Sequence, residues 1–435
     1  MSSRNSTNPR DLSHPRDQIV EFMERIYGYG MTTTSGGNLS IRDDNGDVWV
    51  SPAGHDKGSL APHDIVCVHA DGSTAGPHRP SSELPFHLAI YAARPDVRAV
   101  VHAHPPALVA FSLAGTVPDT RIIPKARLVC GDVGFAPYEL PGSDALGRSI
   151  AAVFARGHDT VVLENHGIVC SGVSLFEAFG RFETLDFCAR LSIEAHRVGS
   201  PHTLTEEQLG FSKGDSHLVD EFDPGPAPSR ERELRTTMVK LIRRAYDQML
   251  FTSTEGTFSC RLADSDLLIT PYGVDRKRID ADDIVLVAAG RRERGKTPSR
   301  SLSLHQKIYA RHLDVNAILI AHPPSVMAYG VAHEPFNTRT IPESYVMLRD
   351  IALLEYGAQY TDQDSVAAMI GPGRPFVIVE NDCAIVVGST LLEAFDRLEV
   401  AEFSARSVIA ASAIGPITPI AETQVEALRK AFGIR

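Results

Sequence analysis

Val100-Val-His-Ala-His-Pro-Pro106 and Leu319-Ile-Ala-His-Pro-Pro324 are two versions of one stretch of sequence. Val162-Leu-Glu-Asn-His-Gly167 and Ile378-Val-Glu-Asn-Asp-Cys383 form a second such pair. Working outward, Gly37-Asn-Leu-Ser-Ile-Arg42 matches Gly256-Thr-Phe-Ser-Cys-Arg261 at an offset of 219 residues (256 less 37). Ser51-Pro-Ala-Gly54 and Thr270-Pro-Tyr-Gly273 keep that offset, as do Asp64 and Asp283. His87-Leu-Ala-Ile-Tyr91 pairs with His305-Gln-Lys-Ile-Tyr309 at 218, and Leu175-Phe-Glu-Ala-Phe179 with Leu391-Leu-Glu-Ala-Phe395 at 216. An offset that drifts so little marks a tandem duplication, with a period far longer than any solenoid repeat. Each copy is therefore a domain of ordinary size.

The expected organisation is a disordered tail over 1–14, a first domain over 15–221, a linker over 222–230 and a second domain over 231–435. Three prolines and a glycine in Phe222-Asp-Pro-Gly-Pro-Ala-Pro-Ser229 favour an extended linker. Ile19, Val20, Phe22, Met23, Ile26 and Tyr27 follow helical spacing, and Leu234, Met238, Leu241, Ile242, Ala245 and Met249 repeat it. Strands are expected at 48–50, 64–68, 99–103 and 159–163, with helices over 82–93 and 175–196. Interleaved helices and short strands imply a layered α/β unit around one sheet in each copy.

Of 435 residues, 43% are hydrophobic and 22% charged, an ordinary globular balance. A net charge of −11 argues against a nucleic-acid or anionic-membrane surface. No apolar run is long enough to span a bilayer, and the polar N-terminus has no signal-peptide core. The six scattered cysteines lack a CxxC pair and read as reduced thiols in a cytoplasmic protein.

His102 and His104 stand two apart on an expected strand, so both imidazoles face the same side. His166 lies on a turn after another strand, followed by Gly167, whose permissive backbone lets the ring swing inward. Three neutral imidazoles are a common ligand set for catalytic zinc. Glu83, near a helix start, is placed to serve as acid/base or as an exchangeable ligand. His305 and His322 read as hydrogen-bonded core residues, and Lys57 as part of a solvated loop.

Ser35-Gly-Gly-Asn-Leu-Ser40, Ser51-Pro-Ala-Gly54, Ser81-Ser-Glu83, His102-Ala-His-Pro105 and Asn165-His-Gly167 occur in this order. Together they resemble the class II aldolase/adducin family. The resemblance covers nearly all of 15–200 and, more weakly, 231–435. It implies two tandem three-layer α/β/α domains, each around a largely antiparallel sheet. It also implies that His102, His104 and His166 bind Zn2+, with Mn2+ or another divalent ion as alternatives, and that Glu83 is the catalytic acid/base. Ser35, Gly37, Asn38, Gly54, Ser81 and Ser82 match the family's pocket for a substrate phosphate. Glycine turns and hydroxyls suit an anion, although Ala53 lacks a hydroxyl that family members often carry there.

The implied reaction passes through an enediolate, whose developing negative charge the metal stabilises. Retro-aldol cleavage of a small phosphorylated hydroxy-carbonyl is the leading expectation. Decarboxylation or dehydration of a related keto or hydroxy acid is the alternative, and a non-catalytic adducin-like scaffold is the alternative of another class. In the second copy Glu83 maps to Ser301, His102 to Ile320, His166 to Asp382 and Asn38 to Thr257. A degenerate, metal-free second site is therefore expected. The expected partners are a small-molecule substrate, no nucleic acid and no membrane. Because family enzymes commonly form four-fold rings, a homodimer imitating a four-domain ring is expected.

Overall fold

The computed structural model describes residues 13–212, 219–263 and 265–434. The tail expected over 1–14 falls outside the described residues, apart from Ser13 and His14. One compact unit comprises residues up to Thr120 together with Lys125–Ala189, and the other comprises Arg121–Pro124 with Arg190–Arg435.

The first unit carries β1 (Asn38–Arg42), β2 (Val48–Val50), β3 (Val66–Val68), β4 (Thr74–Ala75), β5 (Ala99–Ala103), β6 (Gly134–Ala136), β7 (Thr160–Leu163) and β8 (Gly167–Gly172). They form one sheet in the order β4-β3-β2-β1-β5-β8-β7-β6. Every neighbouring pair is antiparallel except β6 and β7. The central strand β5 is buried along its whole length and rich in valine, as a strand covered on both faces should be. Its side chains alternate between two cores. Val101 joins Leu39, Ile168 and residues of helices Pro15–Gly28 and Leu175–Val198. Val100 joins Val50, Val169 and residues of helices Leu84–Ala93 and Asp144–Ala155. These are the three α/β/α layers.

The second unit repeats the plan with β9 (Glu221–Phe222), β10 (Thr257–Arg261), β11 (Leu267–Ile269), β12 (Val285–Ala288), β13 (Arg291–Glu293), β14 (Ala317–Ala321), β15 (Ala352–Leu354), β16 (Phe376–Val379) and β17 (Ala384–Gly388). The order is β15-β16-β17-β14-β10-β11-β12-β13-β9, parallel only at its two ends. β9, at the start of the proline-rich segment, pairs with β13.

The two sheets share a register at the decisive place. Asn38 sits opposite His102 across β1 and β5, and Thr257 sits opposite Ile320 across β10 and β14. The expected strand over 64–68 is shorter than its pattern, because Pro62–Asp64 forms a 3-10 turn that consumes its start. The helix expected over 82–93 begins at Leu84, leaving Glu83 as its N-cap residue.

Candidate metal centre

His102 lies on β5, in the middle of the sheet, and its side chain is fully buried. Its Nδ1 donates to the carbonyl of Ile168 at 2.9 Å, which turns Nε2 toward the site. The strand ends at Ala103, so His104 stands just past it on the same side, with its ring 4.7 Å from that of His102. His166 arrives from the turn between β7 and β8, with ring centroids 4.9 Å from His102 and 5.1 Å from His104. One nitrogen from each of the three histidines lies within 4.8 Å of the others.

Gly167 does not serve this turn through the freedom of φ expected from the sequence. The left-handed residue of this turn is Asn165, at φ 53°. Gly167 is required by close approach instead. A Cβ there would lie 2.6 Å from the carbonyl oxygen of Ala103 and 2.6 Å from Cδ2 of His104.

Glu83 reaches across from its helix N-cap. Its Oε2 is 3.2 Å from Nε2 of His102, and its Oε1 is 3.3 Å from Nε2 of His166. Burial opposes the carboxylate charge. The His102 and His166 imidazoles and the hydrogen bonds from His102 and Asn38 outweigh it and hold the carboxyl well below its usual range. Burial, reinforced by the neighbouring imidazoles, pushes His104 down to about 3 and His166 to about 4. Both rings are therefore neutral at ordinary pH, the state a metal ligand needs.

A relay behind Glu83 fixes its orientation. Tyr91 donates to Ser40 at 2.7 Å, and Ser40 donates to Nδ1 of His87 at 2.7 Å. Nε2 of His87 then donates to Oδ1 of Asn38, whose Nδ2 donates to Oε2 of Glu83 at 2.7 Å. Burial lowers His87 to about 3, which keeps it neutral within the chain of donors. Sequence reasoning did not see this relay. Its signal was present, because Ser40, His87 and Tyr91 all recur as Ser259, His305 and Tyr309.

The other expected pocket residues lie on adjoining loops. Leu39 N–H donates to Oγ of Ser51 at 3.1 Å, and Ser81 N–H donates to the carbonyl of Ser51 at 3.2 Å. Gly37 and Asn38 are thereby drawn beside the 51–54 and 79–83 segments. Ser81 is buried, whereas Ser35, Gly54 and Ser82 are exposed loop positions. Gly37 has φ +71°, and a Cβ there would stand 2.8 Å from the carbonyl oxygen of His102.

The expected solvated loop for Lys57 is overturned. Lys57 is 3% exposed, and its Nζ donates to the carbonyl of Pro52 at 2.8 Å. Burial pushes it down to about 8. The structural reason is that its backbone N–H bonds Thr34, turning the side chain inward beneath the 51–54 loop.

The second copy keeps the scaffold of the relay but not its end. Ser259 bonds Nδ1 of His305 at 2.7 Å and the hydroxyl of Tyr309 at 2.8 Å. His305 is the hydrogen-bonded core residue expected from sequence. Its Nε2, however, is buried with no hydrogen-bond partner among the described residues, because Thr257 stands where Asn38 would be. Thr257, Ser299 and Ser301 form a chain of hydroxyls at 2.7 and 3.1 Å instead. Asp382, raised by burial, accepts from Nε2 of Gln359 at 2.6 Å. The His322 side chain, expected to be hydrogen-bonded, is not: its Nδ1 is buried with no hydrogen-bond partner among the described residues, and its Nε2 lies 3.8 Å from Oε1 of Glu255.

Residues 17–193 and 236–409 both match the model of the Class II Aldolase and Adducin N-terminal domain. The chain belongs to the class II aldolase/adducin family. Family relatives include the 5-deoxy-D-ribulose 1-phosphate aldolase of Bacillus thuringiensis, 32% identical over 46% of this chain and 93% of its own. The 3-oxo-tetronate 4-phosphate decarboxylase of Escherichia coli is 32% identical over 40% of this chain and 84% of its own. The L-fuculose phosphate aldolase of Methanocaldococcus jannaschii is 29% identical over 41% and 95%. The solved structure of Escherichia coli YgbL covers 45% of this chain and 95% of its own, at 30% identity and a TM-score of 0.42. No helix among the described residues is long and apolar enough to cross a membrane.

Proposed function

We propose that the first copy is a divalent-metal lyase that cleaves a small phosphorylated hydroxy-carbonyl compound in the retro-aldol sense. The observation that carries this reading is the convergence of His102, His104 and His166 with Glu83 set between two of them. The donor set fits a divalent cation, zinc first and manganese second: three converging imidazoles, one held at its Nδ1 by the Ile168 carbonyl. A cation held by His102, His104 and His166 would supply Lewis-acid stabilisation for a developing oxyanion. Glu83, kept ionised and oriented by Asn38, takes or returns a proton at its carboxylate oxygens. The Gly37–Asn38, Ser51–Gly54 and Ser81–Ser82 segments, with Ser35, offer hydroxyls and backbone N–H groups for the substrate's phosphate.

Decarboxylation is the second reading, because one set of relatives is named for it. The same carboxylate and metal ligands serve both reactions. A panel of 5-deoxy-D-ribulose 1-phosphate, L-fuculose 1-phosphate and 3-oxo-tetronate 4-phosphate separates them, with aldehyde and carbon dioxide as the two readouts. Turnover lost in His102→Ala/His104→Ala and restored by no added metal is the expected result. A zinc-loaded protein inactive on all three substrates favours a scaffold.

The second copy, in this reading, is a retired site. Its orphaned His305 fits a domain that once held an asparagine at position 257. The proline-rich 222–230 segment is the proposed divide between the duplicated sequences, and the cytoplasm the proposed location. A homodimer imitating the family's four-domain ring completes the proposal. Light scattering tests it, and a monomer at working concentration refutes it.

A further inference from the structure

Asp64 is nearly buried, 8% exposed at its side chain, and three histidines from separate positions surround it. Nε2 of His78 lies 2.9 Å from its Oδ1, and Nε2 of His55 lies 3.4 Å from its Oδ2. Nε2 of His63 lies 3.5 Å from Oδ1. The rings of His55 and His78 stand 4.7 Å apart. One ligand atom from each of His55, Asp64 and His78 lies within 4.8 Å of the others. None of these residues belongs to the centre formed by His102, His104 and His166.

Asp64 has a local duty that needs no histidine. Its Oδ2 accepts the N–H of Ala61 at 2.9 Å and so closes the turn before β3. The second copy isolates that duty. Asp283 accepts the N–H of Asp280 at 2.8 Å in the equivalent turn. There the positions of His55, His63 and His78 hold Val274, Asp282 and Lys296. The turn thus forms without any of the three imidazoles. Their gathering around one carboxylate in the first copy calls for a different reason.

We infer that His55, Asp64 and His78 form a second divalent-metal site, of zinc type. Two or three imidazoles and a carboxylate are a zinc donor set. Ligand atoms around a tetrahedral zinc stand about 3.3 Å apart, given bond lengths of about 2.0–2.1 Å. The distances of 2.9 and 3.4 Å from His78 and His55 to the Asp64 carboxylate bracket that separation. His55 directly follows Gly54, and His78 directly precedes the 79–82 segment. Pro52 and Pro80 already bridge these two loops. An ion at this site ties together the loops that frame the proposed substrate pocket.

The test is zinc titration of the full chain after chelator treatment, against a chromophoric competitor. Four proteins are compared: wild type, His102→Ala/His104→Ala, His55→Ala/His78→Ala, and the quadruple variant. His55 and His78 are partly exposed, so their loss should leave the circular dichroism spectrum unchanged. The inference expects the His102/His104 variant to keep one equivalent bound more tightly than about 1 µM. The quadruple variant should lose it. Cobalt in the His102/His104 variant should show the strong visible bands of a tetrahedral site. The inference is overturned if that variant binds no zinc, or binds it only more weakly than about 1 µM as an adventitious ion. It is equally overturned if the quadruple variant binds as much as the His102/His104 variant. Failure of the catalytic reading looks different: the His55/His78 variant would then bind no zinc at all.

Discussion

Lys57 makes the stability of the first copy depend on pH in a way that can be measured. Burial lowers its amine from the ordinary 10.5 to about 8. Each pKa unit corresponds to about 1.4 kcal/mol, so the buried charge costs on the order of 3 kcal/mol. The direction follows from proton counting. Below pH 8 both folded and unfolded chains are protonated, and the cost is fully present. Between pH 8 and 10.5 the folded chain loses the proton while the unfolded chain keeps it, so stability rises with pH. Above 10.5 the gain is complete. Lys57→Met removes the charge and also the 2.8 Å hydrogen bond to Pro52, whose loss costs about 1–3 kcal/mol. At pH 7 the two effects nearly offset, and the variant should be within about 2 kcal/mol of wild type, on the stable side. The informative quantity is the difference between the two proteins across pH, in which every other titrating group cancels. It should shift by about 3 kcal/mol in favour of wild type between pH 7 and 10.5. Urea unfolding followed by tryptophan fluorescence measures it. The sole tryptophan, Trp49, lies on β2 and reports on the first copy alone. A difference that stays constant within about 0.5 kcal/mol over that range would refute the buried-charge argument.

Glu83→Gln should keep its metal, since the three imidazoles remain, but lose turnover by about 10²- to 10⁴-fold; metal analysis beside a steady-state assay separates the two effects. Gly167→Ala forces a methyl against the Ala103 carbonyl and the His104 ring, each at 2.6 Å. It should cost about 1–3 kcal/mol and lower zinc occupancy at the centre, read by unfolding and metal titration. In the second copy, Thr257→Asn should give the orphaned Nε2 of His305 an acceptor and raise stability by about 1 kcal/mol. Thermal unfolding followed by circular dichroism checks this, and an unchanged or lowered midpoint would remove the account of the broken relay.

The chain announced its duplication and its proposed ligands because both are written locally. An HxH pair at strand spacing, Asn-His-Gly after a strand, and motifs repeated at a nearly fixed offset require no knowledge of distant contacts. Glu83 was readable for the same reason, as a carboxylate near a helix start. Lys57 was not. A lysine between Asp56 and Gly58 reads as solvated, and only its backbone bond to Thr34 turns the side chain under the loop. Gly167 was singled out for the wrong property. Its freedom of φ goes unused, while the approach of Ala103 from the paired strand is a tertiary fact.

The sequence by itself determined two tandem α/β/α units, the three histidines and the contrast between a complete and an incomplete site. Only the tertiary structure decided what holds those residues in place. Asn38 meets Glu83 across 45 residues and His87 across 49. Those meetings depend on β1 pairing with β5 while helix Leu84–Ala93 packs against the same face. Periodicity states which side of a strand a residue faces, but not which group waits there. That is set by register and packing, and by the requirement that each buried donor find an acceptor. The relay satisfies this requirement through its whole length in the first copy. In the second it stops at His305, two links short of where Glu83 stands in the first.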